Sequence, residues 1–290
     1  MAKSRSPQKT VLVVGASGYV GGHLCQALVE RGHRVVGTAF SNPDAIPKHR
    51  MIQRETLDVR KVTHVRRLVK AAAPWWIVNC TTSVAPGQVR PVIVDGTRNL
   101  VDAAGKAKAA LLLYSSDNVF DGNRGWYAES DPVSPVNDYG RAKAEAETLA
   151  SGLVTAALII RTSLVSGIEP LDPRSEWVVN ALRQGETLQL FTDELRCPVW
   201  VDDLVNASVE LMERGFAGLL HVAGPERLSR HDIGQALARY HALSMKSVEP
   251  ALASRSQLAR PQDASLVISQ AQQHLRTPLR GFRERLFPKP

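Results

Sequence analysis

Thr10-Val11-Leu12-Val13-Val14-Gly15-Ala16-Ser17-Gly18-Tyr19-Val20-Gly21 decides how the rest of the chain is read. Five apolar or β-branched residues make a strand pattern, spaced glycines make a tight turn, and Tyr19 opens a run with helical periodicity. A strand that feeds a helix through glycines brings backbone N–H groups and the positive end of the helix dipole to one point. That arrangement suits the pyrophosphate of a dinucleotide. A glycine turn alone also makes an ordinary strand-to-helix connection. Here it starts the first strong strand of the chain and a β-α-β pattern follows, which favours the dinucleotide reading.

Working outward, the first helix is predicted from Tyr19 to Glu30, stopping at Gly32 as a C-terminal cap. Arg34 to Ala39 reads as the second strand, and a short third strand is expected to end near Leu57-Asp58-Val59. A helix through Val65, Leu68 and Val69 follows. Trp75 to Cys80 and Ala109 to Ser115 read as buried strands, with helical spacing between them from Val92 to Ala104. The segment at Tyr139 opens another helix, and Ala156 to Arg161 is a sixth strand. Near-continuous apolar strands alternating with helices predict an α/β fold, a Rossmann-type doubly wound parallel sheet covered on both faces.

Beyond Arg161 the pattern loosens. Helices are predicted at Trp177–Leu182, Asp202–Met212 and after Ser229, whose hydroxyl is a good N-cap. Strands are predicted at Thr187–Phe191 and Leu219–Val222, and the tail ends in a helix-like Gln270–Leu275. The expected organisation is a disordered lead at 1–9, a dinucleotide-binding domain at 10–163 and, mostly within 164–290, a smaller C-terminal α/β substrate lobe. Residues 198–224 are expected to pack back on the main layer.

Composition narrows the function classes. The chain has 290 residues, 44% apolar and 22% charged, with a net charge of +8. No apolar run approaches the ~20 residues that span a bilayer, and the basic start lacks the apolar centre of a signal peptide. A cytoplasmic protein is expected. Cys25, Cys80 and Cys197 are widely separated in apolar settings, which predicts buried free thiols. The eight histidines show no ligand spacing, and His231 and His241 read as ordinary helix-surface residues, so no metal site is expected. The basic residues are scattered without aromatic interleaving, which argues against nucleic acid. A mild positive field suits a small phosphate-bearing ligand.

Tyr139-Gly140-Arg141-Ala142-Lys143 puts a phenol and an ammonium on one helix face. An isolated pair of this kind is most often a solvated helix face; beside the glycine turn it points to hydride transfer from a nicotinamide cofactor. Three further segments share the order and spacing of a known family: Tyr114-Ser115-Ser116-Asp117-Asn118-Val119-Phe120-Asp121-Gly122, Ser134 to Glu145 around the Tyr-Lys pair, and Pro198-Val199-Trp200-Val201-Asp202-Asp203-Leu204 with Gly218 to Gly224 behind it. With the glycine turn, they resemble the extended short-chain dehydrogenase/reductases, and in particular the dTDP-4-dehydrorhamnose reductase family, over about residues 10 to 285.

The resemblance implies reduction of a ketone, such as the 4-keto group of a nucleotide-linked deoxysugar. Tyr139 stands where the family's proton donor stands, and Lys143 where a lysine holds the nicotinamide ribose and stabilises phenolate. Ser116 occupies the position whose hydroxyl binds the substrate carbonyl, with Ser115 as the adjacent candidate. Gly15, Ser17, Gly18, Tyr19 and Val20 fall at the pyrophosphate, Asp58 and Val59 at the adenine, and Cys80, Thr81 and Thr82 on the nicotinamide-ribose side. Tyr139 and Lys143 also count among the cofactor contacts. The second strand ends in Thr38-Ala39-Phe40-Ser41, without the acid that would bind a ribose 2′-hydroxyl. That leans toward NADP(H), with NAD(H) possible and Lys48 or Arg50 as candidate helpers. The expected partners are a small-molecule substrate and a second copy in a homodimer, with neither nucleic acid nor membrane.

Three departures concern the substrate side. Asn118 replaces an aromatic, Leu164 replaces a Trp that packs on the sugar, and Ile93 stands where many extended members carry a helix Asn. Two other readings stay open. One is a non-enzymatic binding role, as in the similar regulatory subunit of methionine adenosyltransferase. The other is a sugar-nucleotide epimerase or dehydratase, although Asn118 after Asp117 removes the acid a dehydratase would want.

Overall fold

The structure is a computed structural model that describes residues 8–153 and 156–288. Residues 1–7 of the expected lead lie outside the described residues. The chain forms two compact units. The first takes in the residues to Ser115, then Ala142–Ile160 and Val205–Leu219. The second takes in Ser116–Arg141, Arg161–Leu204 and the residues from Leu220 on.

The first unit is built on a seven-stranded sheet, three of whose strands run on into segments of the second. Strand β1 (Thr10–Val14) pairs in parallel with β2 (Arg34–Ala39) on one side and β4 (Trp76–Asn79) on the other. Strand β2 pairs in parallel with β3 (Ile52–Thr56), and β4 with β5 (Ala110–Ser116). With β6 (Ala157–Thr162) and β7 (Gly218–His221) the order is β7-β6-β5-β4-β1-β2-β3. The order therefore reverses between β1 and β4, and in open α/β sheets a ligand site forms outside the carboxyl ends of the strands at such a point. Leu12, Ile77 and Leu111 have no exposed surface, as strands covered on both faces require.

Helix α1 spans Tyr19–Glu30, α2 Val62–Ala72, α3 Gly96–Ala107 and α4 Asp138–Ser151. The bounds of α1 and β2 coincide with the sequence prediction. The helix expected at Val92–Ala104 instead begins with a π turn at Pro91–Asp95 and continues as α3 to Ala107. Ile93 is buried inside that turn. Strand β3 ends at Thr56, before the predicted Leu57-Asp58-Val59, because Asp58 makes a turn of its own: its Oδ1 accepts from the Arg60 N–H at 3.1 Å and its carbonyl from the Lys61 N–H at 3.0 Å. Strand β5 runs one residue further than predicted, to Ser116.

The second unit carries α5 (Pro173–Gln184), α7 (Arg230–Tyr240) and the first four residues of α6 (Val201–Glu213), the rest of which lies in the first unit. Strand Leu188–Phe191 pairs in parallel with Val248–Ala251. Ser229 caps α7 through a full capping box with Asp232. The core holds Trp200 stacked on Phe282, ring centroids 5.1 Å apart and 3° from parallel, with Trp200 Nε1 donating to the Gly281 carbonyl at 3.1 Å. The short helix Phe282–Leu286 was not expected from the sequence; it forms because Phe282 and Leu286, one turn apart, are both buried. Nearby, the Asp203 carboxylate is gripped by the Arg280 guanidinium and backbone N–H.

His221 is a buried imidazole with defined roles for both nitrogens. Nδ1 donates to the Val267 carbonyl at 3.2 Å, so Nε2 is left to accept from Arg161 Nη1 at 3.5 Å. Burial, and then the Arg161 charge, push its pKa down from 6.5 to about 3. Unfolding frees the imidazole to take up a proton below about pH 6.5, whereas the native state takes none until about pH 3. The contribution to stability is thus complete above pH 6.5 and is lost as pH falls toward 3. In urea titrations, His221→Gln is expected to flatten the fall in unfolding free energy between pH 6.5 and 4 by up to ~1.4 kcal/mol per pH unit. An unchanged slope would show that another group sets it.

Candidate cofactor and active site

The turn after β1 sits at the switch point of the sheet. Gly15 has φ 87°, and a Cβ there would lie 3.2 Å from the Cys80 carbonyl carbon at the end of β4. A Cβ on Gly21 would fall 2.2 Å from the Gly15 carbonyl oxygen, so only glycine lets the first turn of α1 close on the end of β1. The N-cap is Gly18, and the first turn of α1 carries no acidic residue. Ser17 and Gly18 are exposed, Tyr19 and Val20 half-buried. A backbone cradle at a helix N-terminus with no competing carboxylate fits a dinucleotide pyrophosphate.

Cys80 and Thr81 line the same end of the sheet. The Cys80 N–H donates to the Val14 carbonyl at 2.9 Å. Asn79 Oδ1 accepts from the Thr81 N–H at 3.0 Å and its hydroxyl at 2.7 Å, while Asn79 Nδ2 donates to Thr97 at 3.1 Å. This pins the backbone after β4, and Thr82 beyond it is exposed. Burial pushes the Cys80 thiol up, and Cys25 and Cys197 to about 12, so all three stay protonated and free. Asp58 and Val59 follow β3; the Val59 side chain is buried, and its carbonyl accepts from Asn99 Nδ2 at 2.8 Å. Lys48 and Arg50 lie exposed on the approach to β3.

The end of β5 separates the two candidate serines. Ser115 donates its hydroxyl to Glu147 Oε1 at 2.5 Å, both residues being buried. In the second unit, Ser116 ends the strand; its Oγ donates to Asp117 Oδ1 at 3.0 Å and accepts from the Asn118 N–H at 3.2 Å. Asp117 is itself fixed by the Ser163 hydroxyl at 2.7 Å and lies 3.5 Å from Arg196 Nε. A buried carboxylate thus engages Ser115, whereas the partners of Ser116 belong to the turn that presents it.

Helix α4 presents Tyr139 in its first turn, half-buried, and Lys143 one turn on, 4% exposed. In the first unit, Lys143 Nζ donates to the Tyr114 carbonyl at 2.9 Å. Asn137 Oδ1 accepts from the Gly140 N–H at 2.8 Å and so holds the start of the helix. A Cβ on Gly140 would sit 2.1 Å from the Asn118 carbonyl oxygen. Glycine there lets the helix start touch the backbone two residues after Ser116. The motif Tyr-Gly-x-x-Lys therefore carries a packing requirement as well as a chemical one.

The second unit also holds a cavity of about 320 Å³ that the sequence did not reveal. Arg174, Trp177, Phe191, Glu194, Arg230 and Arg260 are among its lining residues, and Leu164 contributes as well. Glu194 is buried; its Oε1 accepts from Arg230 Nε at 2.9 Å, Arg196 lies 3.6 Å away and Arg260 3.6 Å from Oε2. Burial would raise its pKa, but the surrounding guanidinium charges hold it below the usual carboxylate value. Of the lining residues only Leu164 was singled out from the sequence for the substrate side, because the lining is brought together from segments distant in the chain. Among the described residues no group of three or more His, Cys, Asp or Glu could hold a metal ion, and no helix is long and apolar enough to cross a membrane.

The profile of the RmlD substrate binding domain family matches residues 9–287. The chain belongs to that family. It is 30% identical over 239 residues to the probable low-salt glycan biosynthesis reductase Agl14 of Haloferax volcanii, covering 78% of each chain. It is 28% identical over 302 residues to the methionine adenosyltransferase 2 subunit beta of Pongo abelii, covering 97% of this chain and 88% of the other. The crystal structure of dTDP-4-dehydrorhamnose reductase from Bacillus anthracis in complex with NADP superposes with a TM-score of 0.84 at 21% identity, over 96% and 97% of the two chains. Similar folds have been solved with NADP and with NAD.

The Gly140 contact generates a sign-reversed expectation. In an exposed helix Gly→Ala stabilises by ~0.5–1 kcal/mol. Gly140→Ala is expected instead to lower the unfolding free energy by ~1–3 kcal/mol, because the new methyl must displace a backbone carbonyl. A urea denaturation series that found it neutral or stabilising would remove the packing argument.

Proposed function

We propose that this protein is a nicotinamide-dependent reductase that converts the ketone of a nucleotide-linked sugar to an alcohol, with NADP(H) preferred. A 4-keto-6-deoxysugar is the substrate class that family membership favours. The observation that carries the reading is the presentation of Ser116, Tyr139 and Lys143 by the end of β5 and the first two turns of α4, with Ser115 engaged by Glu147.

The cofactor, when bound, supplies a hydride to the carbonyl carbon. The chain's own residues manage the proton and the geometry. The Ser116 hydroxyl donates to the substrate carbonyl oxygen and orients it. Tyr139 gives its phenolic proton to the oxygen as negative charge develops there, and the neighbouring ammonium of Lys143 stabilises the phenolate that remains. Gly15, Ser17, Gly18, Tyr19 and Val20 hold the pyrophosphate, Asp58 and Val59 the adenine, and Cys80, Thr81 and Thr82 the nicotinamide-ribose side. The end of β2, Ala39-Phe40-Ser41, offers no carboxylate to a 2′-hydroxyl, which supports NADP(H) over NAD(H).

The cavity of the second unit suits the nucleoside diphosphate of the substrate, with arginines for the phosphates and Trp177 or Phe191 for stacking a base. Leu164 in that lining is smaller than the family's Trp, which supports a substrate with a different sugar. Action in the cytoplasm as a homodimer is part of the same proposal. The similarity to a methionine adenosyltransferase subunit favours a second reading, a binding protein that keeps the cofactor site.

Tyr139→Phe separates the two. Turnover of a dTDP-4-keto-6-deoxysugar, followed as NADPH consumption, is expected to fall at least ~10²-fold, while the NADPH dissociation constant from fluorescence titration stays within about twofold. Turnover that survives the substitution would remove Tyr139 as the proton donor. NADPH binding with no turnover in the unmodified protein, across keto-sugar nucleotides, would favour the binding role.

A further inference from the structure

We infer that Arg60 is the residue that reads the 2′-phosphate of the cofactor, an inference that rests on the NADP(H) reading above. Phe40 is the first residue beyond β2 and is 62% exposed. It occupies the strand end where an acid would mark a 2′-hydroxyl. The guanidinium carbon of Arg60 lies 4.9 Å from the centre of the Phe40 ring, so a fixed positive charge stands over the position from which the acid is missing. That charge is not delivered by β2 itself. It comes from the turn after β3, tied to β2 by the Leu57 N–H donating to the Ala39 carbonyl at 2.9 Å.

The guanidinium is held from three sides. Nε donates to Asp58 Oδ1 at 2.8 Å and Nη2 to Asp58 Oδ2 at 2.9 Å, a fork on one carboxylate. Nη1 donates to Gln88 Oε1 at 2.7 Å. These bonds use three of the five N–H donors of an arginine and leave one on each terminal nitrogen. A phosphate monoester takes up such a pair of donors as a bidentate, charge-assisted contact. The arrangement orients the group beforehand, so little side-chain entropy is lost when the ligand arrives.

Asp58 orients the guanidinium and offsets only part of its charge, since two of the arginine's N–H donors stay open to a further anion. It stands at the proposed adenine position, and its hydrogen bonds to Arg60 hold its carboxyl below the usual carboxylate range, so it remains an anion that anchors the guanidinium. A plain surface ion pair would contribute only ~0–1 kcal/mol to stability and would have no bearing on the ligand's 2′ position. Lys48 and Arg50, the cations the sequence suggested, are exposed on a different turn, between Ile46 and β3, and neither is held over Phe40 by a contact of the kind that fixes Arg60.

Calorimetric titration of the full chain with 2′,5′-ADP and with 5′-AMP reads this contact without any turnover. The unmodified protein is expected to bind 2′,5′-ADP about tenfold or more tightly than 5′-AMP. In Arg60→Gln, which keeps hydrogen-bonding capacity but no charge, that ratio is expected to fall to about one to two while 5′-AMP affinity changes less than about threefold. Arg60→Lys should retain part of the preference, and melting temperatures would verify that both variants fold. A tenfold ratio preserved in Arg60→Gln would overturn the inference, since another group would be reading the phosphate. Equal losses for both ligands would overturn it as well, because Arg60 would then act only through the shape of the turn. A ratio near one in the unmodified protein would instead overturn the NADP(H) reading on which the inference depends.

Discussion

Lys143 is a buried cation whose Nζ donates to the Tyr114 carbonyl, 2.9 Å away. Taking an ammonium out of water costs several kcal/mol unless strong acceptors replace the water. An arrangement that answers this cost at one position restricts its neighbours. The carbonyl belongs to the last turn-free stretch of β5, so strand and helix must meet in one register. In that register Glu147, one turn beyond Lys143, receives the Ser115 hydroxyl, and β5 ends on Ser116. Two buried polar contacts, each costly to leave unmade, therefore hold β5 against α4 within the first unit and engage Ser115 with Glu147.

The glycines supply the other half of the constraint. Gly21 against the Gly15 carbonyl and Gly140 against the Asn118 carbonyl are both places where a single methyl would collide with backbone. One closes the start of α1 on the end of β1. The other closes the helix start on the turn that follows Ser116. Chemistry at such a site depends on positions held to a fraction of an ångström, and here backbone contact provides that restraint in place of flexible side chains.

What the sequence made legible follows the range of the forces involved. The bounds of α1 and β2 could be read because local patterning and a terminal Gly32 set them. The end of β5 could not be placed to the residue, because the deciding partner, Glu147, is thirty-odd positions away and pairs through a side chain. The helix at Phe282–Leu286 and the cavity around Glu194 escaped for the same reason. Each depends on residues distant in sequence, such as Trp200 against Phe282. Arg60 escaped differently: Asp58-Val59-Arg60 looks like an ordinary charged turn until the structure places its guanidinium over Phe40.

In the proposed reaction, hydride passes from the cofactor to a carbonyl carbon of the substrate and remains there. The most direct test is incubation with NADPH deuterated at C4, as each of its two stereoisomers in turn, and a dTDP-4-keto-6-deoxysugar, followed by mass spectrometry and NMR of the sugar product. One deuterium is expected on the newly formed carbinol carbon from one stereoisomer and none from the other, with one oxidised cofactor per product. A sugar recovered without deuterium while the protein holds the labelled cofactor would contradict that reaction and leave a binding protein in its place.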